Sequence, residues 1–201
     1  KMVVTETLID GNINDELYNN TIALNTECTN VAENPVKSTV KVILGQTGFY
    51  IAIDVKDSLI GTNSHVESVM CVGSGIIDKK TGGAAANTIQ FRFYANEQNV
   101  SGRKTFVRAY WYNTSGNWPW EEIKTDISVV GIVKNTDGYV VEAFIPYTTF
   151  GLSEVPQSVS YQPSLWLYTA SDLKSNTLRL GNYNTKAADL YDYNKFIEFD
   201  S

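Results

Sequence analysis

The sequence predicts an all-β protein, a single antiparallel β-sandwich, and three observations carry that reading. Apolar and polar residues alternate with period two along several segments. Turn-forming residues separate those segments at intervals of roughly 8 to 15 residues, and no long amphipathic helical pattern occurs. The 201 residues, 43% hydrophobic and 19% charged, suit one domain over 1–201 with a substantial core.

Each element follows from its local pattern. Val40, Val42 and Leu44 alternate with Lys41 and Ile43, Gly45-Gln46-Thr47-Gly48 interrupts, and Ile51, Ile53 and Val55 then alternate with Tyr50, Ala52 and Asp54, which predicts a hairpin. In a second pair, Ile89, Phe91 and Phe93 share one face and Gln90, Arg92 and Tyr94 the other, followed by a polar turn over Asn96–Gly102 and a strand over Phe106–Tyr112. Strands over Ile127–Val133 and Gly138–Ile145 flank Asn135-Thr136-Asp137-Gly138, whose Asp-Gly supplies the backbone angles of a tight turn. Pro146 ends the second of these, because proline has no N–H for the ladder. Tyr147–Gly151 is the stretch able to turn helically, and Ser164–Ala170 and Lys195–Phe199 are the last expected strands of about eight to ten. Gly73–Asn87, with Gly82-Gly83-Ala84-Ala85-Ala86, reads as a surface loop.

Composition narrows the function. With 16 basic and 22 acidic residues the net charge is −6, which disfavours a partner held through phosphates, so nucleic acid is not expected. No apolar run approaches the roughly 18 residues of a membrane span, and the start Lys1-Met2-Val3-Val4 has no signal-peptide pattern, so the chain reads as a soluble excised segment that does not insert into membranes. Abundant Ser, Thr and Asn, with 12 Tyr against 8 Phe, suit the surface of a secreted β protein. Cys28 and Cys71 allow one disulfide at most and no zinc site, and two buried free thiols are the simpler reading. The single histidine, His65, excludes most enzymes that use a histidine base, unless His65 is that base. No nucleophile elbow, phosphate loop or His-Glu-x-x-His motif occurs. Glu121 and Glu122, as neighbours on a strand, point to opposite faces and cannot form a glycosidase acid–base pair.

The order of several pieces resembles family 9 carbohydrate-binding modules and their DOMON-like relatives. Ile9-Asp10-Gly11-Asn12-Ile13-Asn14-Asp15-Glu16 is similar to the opening of that family. It is followed in the same order by Val40-Lys41-Val42 with Phe49 to Asp57, by Glu67-Ser68-Val69, by Gln90-Phe91-Arg92, and by Asp137-Gly138-Tyr139-Val140-Val141-Glu142-Ala143-Phe144-Ile145-Pro146. The resemblance runs from about Leu8 to Phe199. It implies a DOMON-like sandwich of jelly-roll type and immunoglobulin-like appearance, an accessory module that binds sugar without cleaving it, and bound calcium. Family members clamp a sugar ring between two tryptophans, one just before the strand that Glu67-Ser68-Val69 resembles. Here Asn63-Ser64-His65-Val66 precedes it, and Leu178 to Asn184 offers Tyr183 as the aromatic counterpart.

Sugar recognition needs flat apolar surface for the C–H face of a ring and planar donors and acceptors for its hydroxyls. The resemblance carries over Gln90 and Arg92 as polar contacts, with His65 and Tyr183 as replacements for the clamp. Three of the four tryptophans, Trp111, Trp118 and Trp120, lie within ten residues around Asn113 to Asn117. Trp118 and Trp120, near this loop, are candidate sugar-facing rings, and Trp111 and Trp166, on strands, are expected in the core. Asp10, Asp15, Asp54 and Asp57 are the candidate calcium ligands. Haem, held in some DOMON relatives by Met and His, is not expected, because Met70 and His65 have odd spacing on an extended strand.

The expected function is non-catalytic binding of a glycan or polysaccharide by an accessory module of a secreted or cell-surface bacterial protein, alongside other modules of the same chain. The alternatives are a structural or adhesion spacer without sugar binding and a small glycoside hydrolase.

Overall fold

The computed structural model describes residues 9–19, 21, 24–28, 36–57, 60–72, 88–112, 120–123, 129–152, 154, 158–161, 165–168, 177–180 and 197–200. Its strands are β1 (Leu24–Cys28), β2 (Val36–Leu44), β3 (Gly48–Lys56), β4 (His65–Val72), β5 (Thr88–Val100), β6 (Arg103–Tyr112) and β7 (Trp120–Ile123). The remainder are β8 (Val129–Lys134), β9 (Gly138–Pro146), β10 (Ser158–Tyr161), β11 (Leu165–Tyr168), β12 (Thr177–Leu180) and β13 (Ile197–Asp200). They form two antiparallel sheets, β1-β2-β3-β9-β8 and β12-β11-β4-β5-β6-β7, with β10 joining β4 to β13. Two strands share one side of β4: β11 pairs with residues 65–67 and β10 with residues 70–72. The all-β sandwich expected from the sequence is the observed fold. The strands outnumber the eight to ten expected, because β7, β10 and β12 have four residues each, too few to show a period.

Alternation builds the core. Val40, Val42, Phe49, Ile51, Ile53, Val55, Val141 and Ile145 of the first sheet meet Val66, Ile89, Phe91, Phe93 and Ala109 of the second. Phe91 and Phe93 stack at 6.0 Å, and Trp111, packed against this cluster as expected, meets Phe150 edge-on at 6.3 Å. Each such ring or branched chain contributes about 1.5–3 kcal/mol on burial.

The other face of the first sheet is also sealed. Tyr50, Ala52 and Phe144 lie under Leu17 and Tyr18 of a 3-10 turn, Glu16–Tyr18, with Ile9, Ile13 and Ile43 alongside. One carboxylate fastens this cover: Glu142 Oε2 accepts the N–H groups of Asp10 (2.8 Å) and Gly11 (2.9 Å), and Oε1 accepts the Tyr18 hydroxyl (2.9 Å).

Turn chemistry explains one departure from the expected boundaries. The polar residues after Asn96 are not a turn, because β5 continues to Val100, opposite Arg103, and Ser101-Gly102 makes the hairpin with φ of 52° and 83°. The register shifts between Phe93 and Gln98, a bulge whose side chains are put to use. Asn96 Nδ2 donates to Gly61 O (2.9 Å) and Gln98 Nε2 to Thr62 O (2.7 Å), holding the loop that leads into β4. The β8–β9 turn is where expected, closed by Asn135 N–H on Gly138 O at 3.0 Å. Gly138 is needed there, since a Cβ would lie 1.9 Å from Val55 O. Tyr147–Phe150 forms the expected helical turn, of 3-10 type. The loop read over Gly73–Asn87 lies outside the described residues.

Candidate functional site

Directly paired residues share a sheet face, so register locates the site. In the second sheet Glu67 pairs with Arg92 and His65 with Tyr94, while Arg92 pairs with Arg108 and Gln90 with Tyr110, which in turn pairs with Glu122. The core row of β5 is Ile89, Phe91 and Phe93, so this second row occupies the outer face. It is polar but closely packed: Glu67 and Gln90 are each 4% exposed and Tyr110 8%.

Arg92 is the centre of this row. Its Nε donates to Gln90 Oε1 (3.0 Å) and lies 3.1 Å from Glu67 Oε1, and its guanidinium stands 4.4 Å above the Tyr110 ring. The Arg92 side chain keeps 22% of its surface exposed. Its terminal nitrogens, Gln90 Nε2, Glu67 Oε2 and the hydroxyls of Tyr94 and Tyr110 make no hydrogen bond among the described residues. The described buried side-chain oxygens without a partner are elsewhere, at Asp54 Oδ1 and Tyr139 Oη. The row thus gathers unused donors beside an unused carboxylate oxygen, on side chains already fixed by their neighbours. A hydroxyl can donate to one and accept from the other, so this arrangement suits a ligand with adjacent hydroxyl groups.

The surroundings hold these groups in place. His65 Nδ1 faces Asn63 O at 2.8 Å, Nε2 lies 3.3 Å from Glu67 Oε1, and the ring leans on Tyr94 at 4.7 Å. It is 7% exposed, so it braces Glu67 and does not stand out as a platform. On the far side Arg108 grips Glu122 through two bonds, Nε to Oε1 (2.8 Å) and Nη2 to Oε2 (2.9 Å). That pairing holds the Arg108 pKa above its ordinary value. Burial raises the Tyr110 hydroxyl pKa, with the two arginines acting against it. The phenol therefore stays protonated at neutral pH and can donate.

The structure distributes the expected site residues unevenly. His65, Gln90 and Arg92 come together. Trp120 pairs with Tyr112, a register position on the same outer row as Tyr110 and Glu122, while Trp118 and Tyr183 lie outside the described residues. Trp166, expected in the core, pairs with Glu67 and so holds a register position on the outer row. Glu67, Tyr94, Tyr110, Arg108 and Glu122 complete the face, and sequence reading did not name them as site residues. Period two on the strand beginning at His65 would have brought in Glu67, but its partner on β5 depends on long-range register.

Of the acidic residues, Asp10 and Asp15 do converge, with Glu142, to within 4.8 Å. Burial and the neighbouring Asp10 raise the Asp15 pKa. Glu142 is committed to three donors, Asp10 Oδ1 accepts Asn12 N–H and Asp15 Oδ1 accepts Asn12 Nδ2. Among the described residues this leaves Asp10 Oδ2 and Asp15 Oδ2 as the uncommitted oxygens of the group, where calcium takes about six to eight. Asp54 pairs with Lys56 at 3.3 Å, and Asp57 is buried beside the β8–β9 turn, its N–H on Asp137 O at 2.9 Å.

The family profile "Carbohydrate family 9 binding domain-like" matches residues 9–164. The chain belongs to that family. Family 9 carbohydrate-binding modules are non-catalytic, and this chain is accordingly not an enzyme. Its fold is similar to that of a family 9 carbohydrate-binding module from Caldicellulosiruptor kristjanssonii in complex with cellotriose. The TM-score is 0.61 at 15% identity, over 96% of this chain and 88% of that one. The structure of a family 9 module from the same organism in complex with glucose is similar at TM-score 0.61 and 14% identity, over 99% of this chain and 93% of the other. None of the curated proteins matches the chain. No helix among the described residues is long and apolar enough to cross a membrane.

Proposed function

We propose that this chain binds a glycan on the outer face of the second sheet, as an accessory module of a larger secreted or cell-surface bacterial protein with further modules. The observation that carries the reading is the state of Arg92. Its Nε is fixed by Gln90 and Glu67 and its plane by Tyr110, while its terminal nitrogens have no partner among the described residues. A fork held in this way loses little freedom on meeting a hydroxyl pair. Gln90 Nε2 supplies a neighbouring donor and Glu67 Oε2 a neighbouring acceptor, and His65 orients Glu67. Trp120, by its place on the outer row, Trp118, by its place beside the Asn113–Asn117 loop, and Tyr183, as the counterpart of the family clamp, are the proposed stacking rings. The two similar modules are complexes with cellotriose and with glucose, which supports a gluco-configured probe.

The mechanism is reversible stacking and hydrogen bonding. A single module is expected to bind at roughly 1 µM to 1 mM, about 4–8 kcal/mol, and to act by keeping its attached partner close to the polymer. Isothermal titration with cellotriose, and sedimentation with insoluble cellulose and xylan, test this reading. Arg92→Ala should weaken binding about 10- to 150-fold, the range of hydrogen bonds to a charged donor. A folded wild-type chain that binds none of these glycans would favour the spacer instead.

A further inference from the structure

The outer row contains a five-member series that crosses four strands: Glu67 on β4, Arg92 on β5, Tyr110 and Arg108 on β6, and Glu122 on β7. Arg92 and Arg108 are direct cross-strand partners, an arrangement of like charges that is unfavourable unless something separates or neutralises them. Both needs are met here. The Tyr110 ring takes Arg92 at 4.4 Å and Arg108 at 5.6 Å from its centroid, and each guanidinium has its own carboxylate on the side away from the other. The two ends differ in one respect. Arg108 turns one edge, Nε and Nη2, onto Glu122, whereas among the described residues Arg92 spends only Nε and keeps both terminal nitrogens for a ligand.

We infer that Tyr110 is the positioning residue for the Arg92 fork, and that the Arg108–Glu122 pair serves to keep Tyr110 in place. The inference rests on the proposed glycan binding at this face. Two contacts through Nε fix where the Arg92 head sits but leave its plane able to pivot about the Nε–H···O line. A ring beneath the plane removes that freedom, so both terminal nitrogens point along the sheet surface toward one ligand position. The Arg108–Glu122 pair joins one whole edge of the guanidinium to both carboxylate oxygens, which suits a role in supporting the ring.

The test compares Tyr110→Phe, Tyr110→Leu and Glu122→Gln in the full chain. Affinity is measured by calorimetry with cellotriose, and the Arg92 Nε–H resonance is followed by NMR. Tyr110→Leu should bind roughly 3- to 30-fold more weakly than Tyr110→Phe, the range set by loss of a cation–π contact. The Arg92 resonance should lose its ring-current shift in the leucine variant and keep it in the phenylalanine variant. Glu122→Gln, which leaves the ring and loosens only its support, should lie between them. A leucine variant that binds like the phenylalanine variant would overturn the inference, and so would an Arg92 resonance identical in both. Wild-type chain without affinity for any glycan would instead overturn the proposed function, so the two failures are distinguishable.

Discussion

Glu142→Ala should be among the most damaging single changes outside the apolar core. The carboxylate is wholly buried on the outer face of the first sheet and accepts three hydrogen bonds, from Asp10 N–H, Gly11 N–H and the Tyr18 hydroxyl. The two backbone donors are part-buried and can regain water, which limits the loss to about 0.5–1.5 kcal/mol each. Tyr18 is 2% exposed, so its hydroxyl is left stranded at about 1–3 kcal/mol. The sum spans about 2–6 kcal/mol and centres on about 4, a large part of a typical 5–15 kcal/mol stability. At about 2–4 °C per kcal/mol for a domain of this size, the melting temperature should fall by roughly 8 to 16 °C. Glu142→Gln can accept the two N–H groups through its oxygen and donate its amide to Tyr18, so it should cost under about 1 kcal/mol. Urea unfolding followed by tryptophan fluorescence gives both values. If alanine and glutamine were equally harmful, or alanine cost under about 1 kcal/mol, the view of residue 142 as the fastener of the N-terminal cover would be wrong.

Three further outcomes follow from the same geometry. Burial holds the Glu142 pKa above its ordinary 4.5, so the folded state binds that proton more tightly than the unfolded chain does. Stability from this group is therefore complete below 4.5 and declines as pH rises through the folded value; plotted against pH, wild-type stability should lose ground to Glu142→Gln over that window. Phe91→Ala removes a fully buried ring packed between Phe93 and Phe150 and should cost about 3–5 kcal/mol in denaturant titrations. Gly138→Ala would drive a methyl to 1.9 Å from Val55 O and should destabilise by about 1–3 kcal/mol, whereas Gly45→Ala, whose nearest atom lies at 2.8 Å, should be milder in the same assay.

Much of this arrangement is legible in the sequence because a strand's alternation is local. Ile89, Phe91 and Phe93 announce the core row, and the same count places Gln90, Arg92 and Tyr94 together on the opposite face. What alternation cannot give is the partner across the ladder. Glu67 meets Arg92 because of the β4–β5 register, set by pairing between segments about twenty residues apart, and the register position of Trp166 opposite Glu67 is set by the β11–β4 pairing. Glu142 read as an ordinary polar residue on a strand, since its burial depends on residues 9–18 folding over it from the other end of the chain. Asn96 and Gln98 resembled a turn by residue type, while the actual turn was set by two positions able to take positive φ, Ser101 and Gly102. Asp10 and Asp15 converge because they sit in one short loop. Asp54 and Asp57, on another edge of the fold, were separated from them by topology alone.

The central claim is that sugar is taken by the outer face of the β4–β5–β6 sheet through an arginine whose fork is already in place. The most direct measurement is an NMR titration of the folded chain with cellotriose that follows the side-chain resonances of Arg92 and Gln90. Saturable shifts are expected at Arg92 Nε–H and the Gln90 amide, with the first-sheet residues Tyr50 and Phe144 unmoved. Shifts confined to the first sheet, or a saturating shift elsewhere with Arg92 silent, would contradict it.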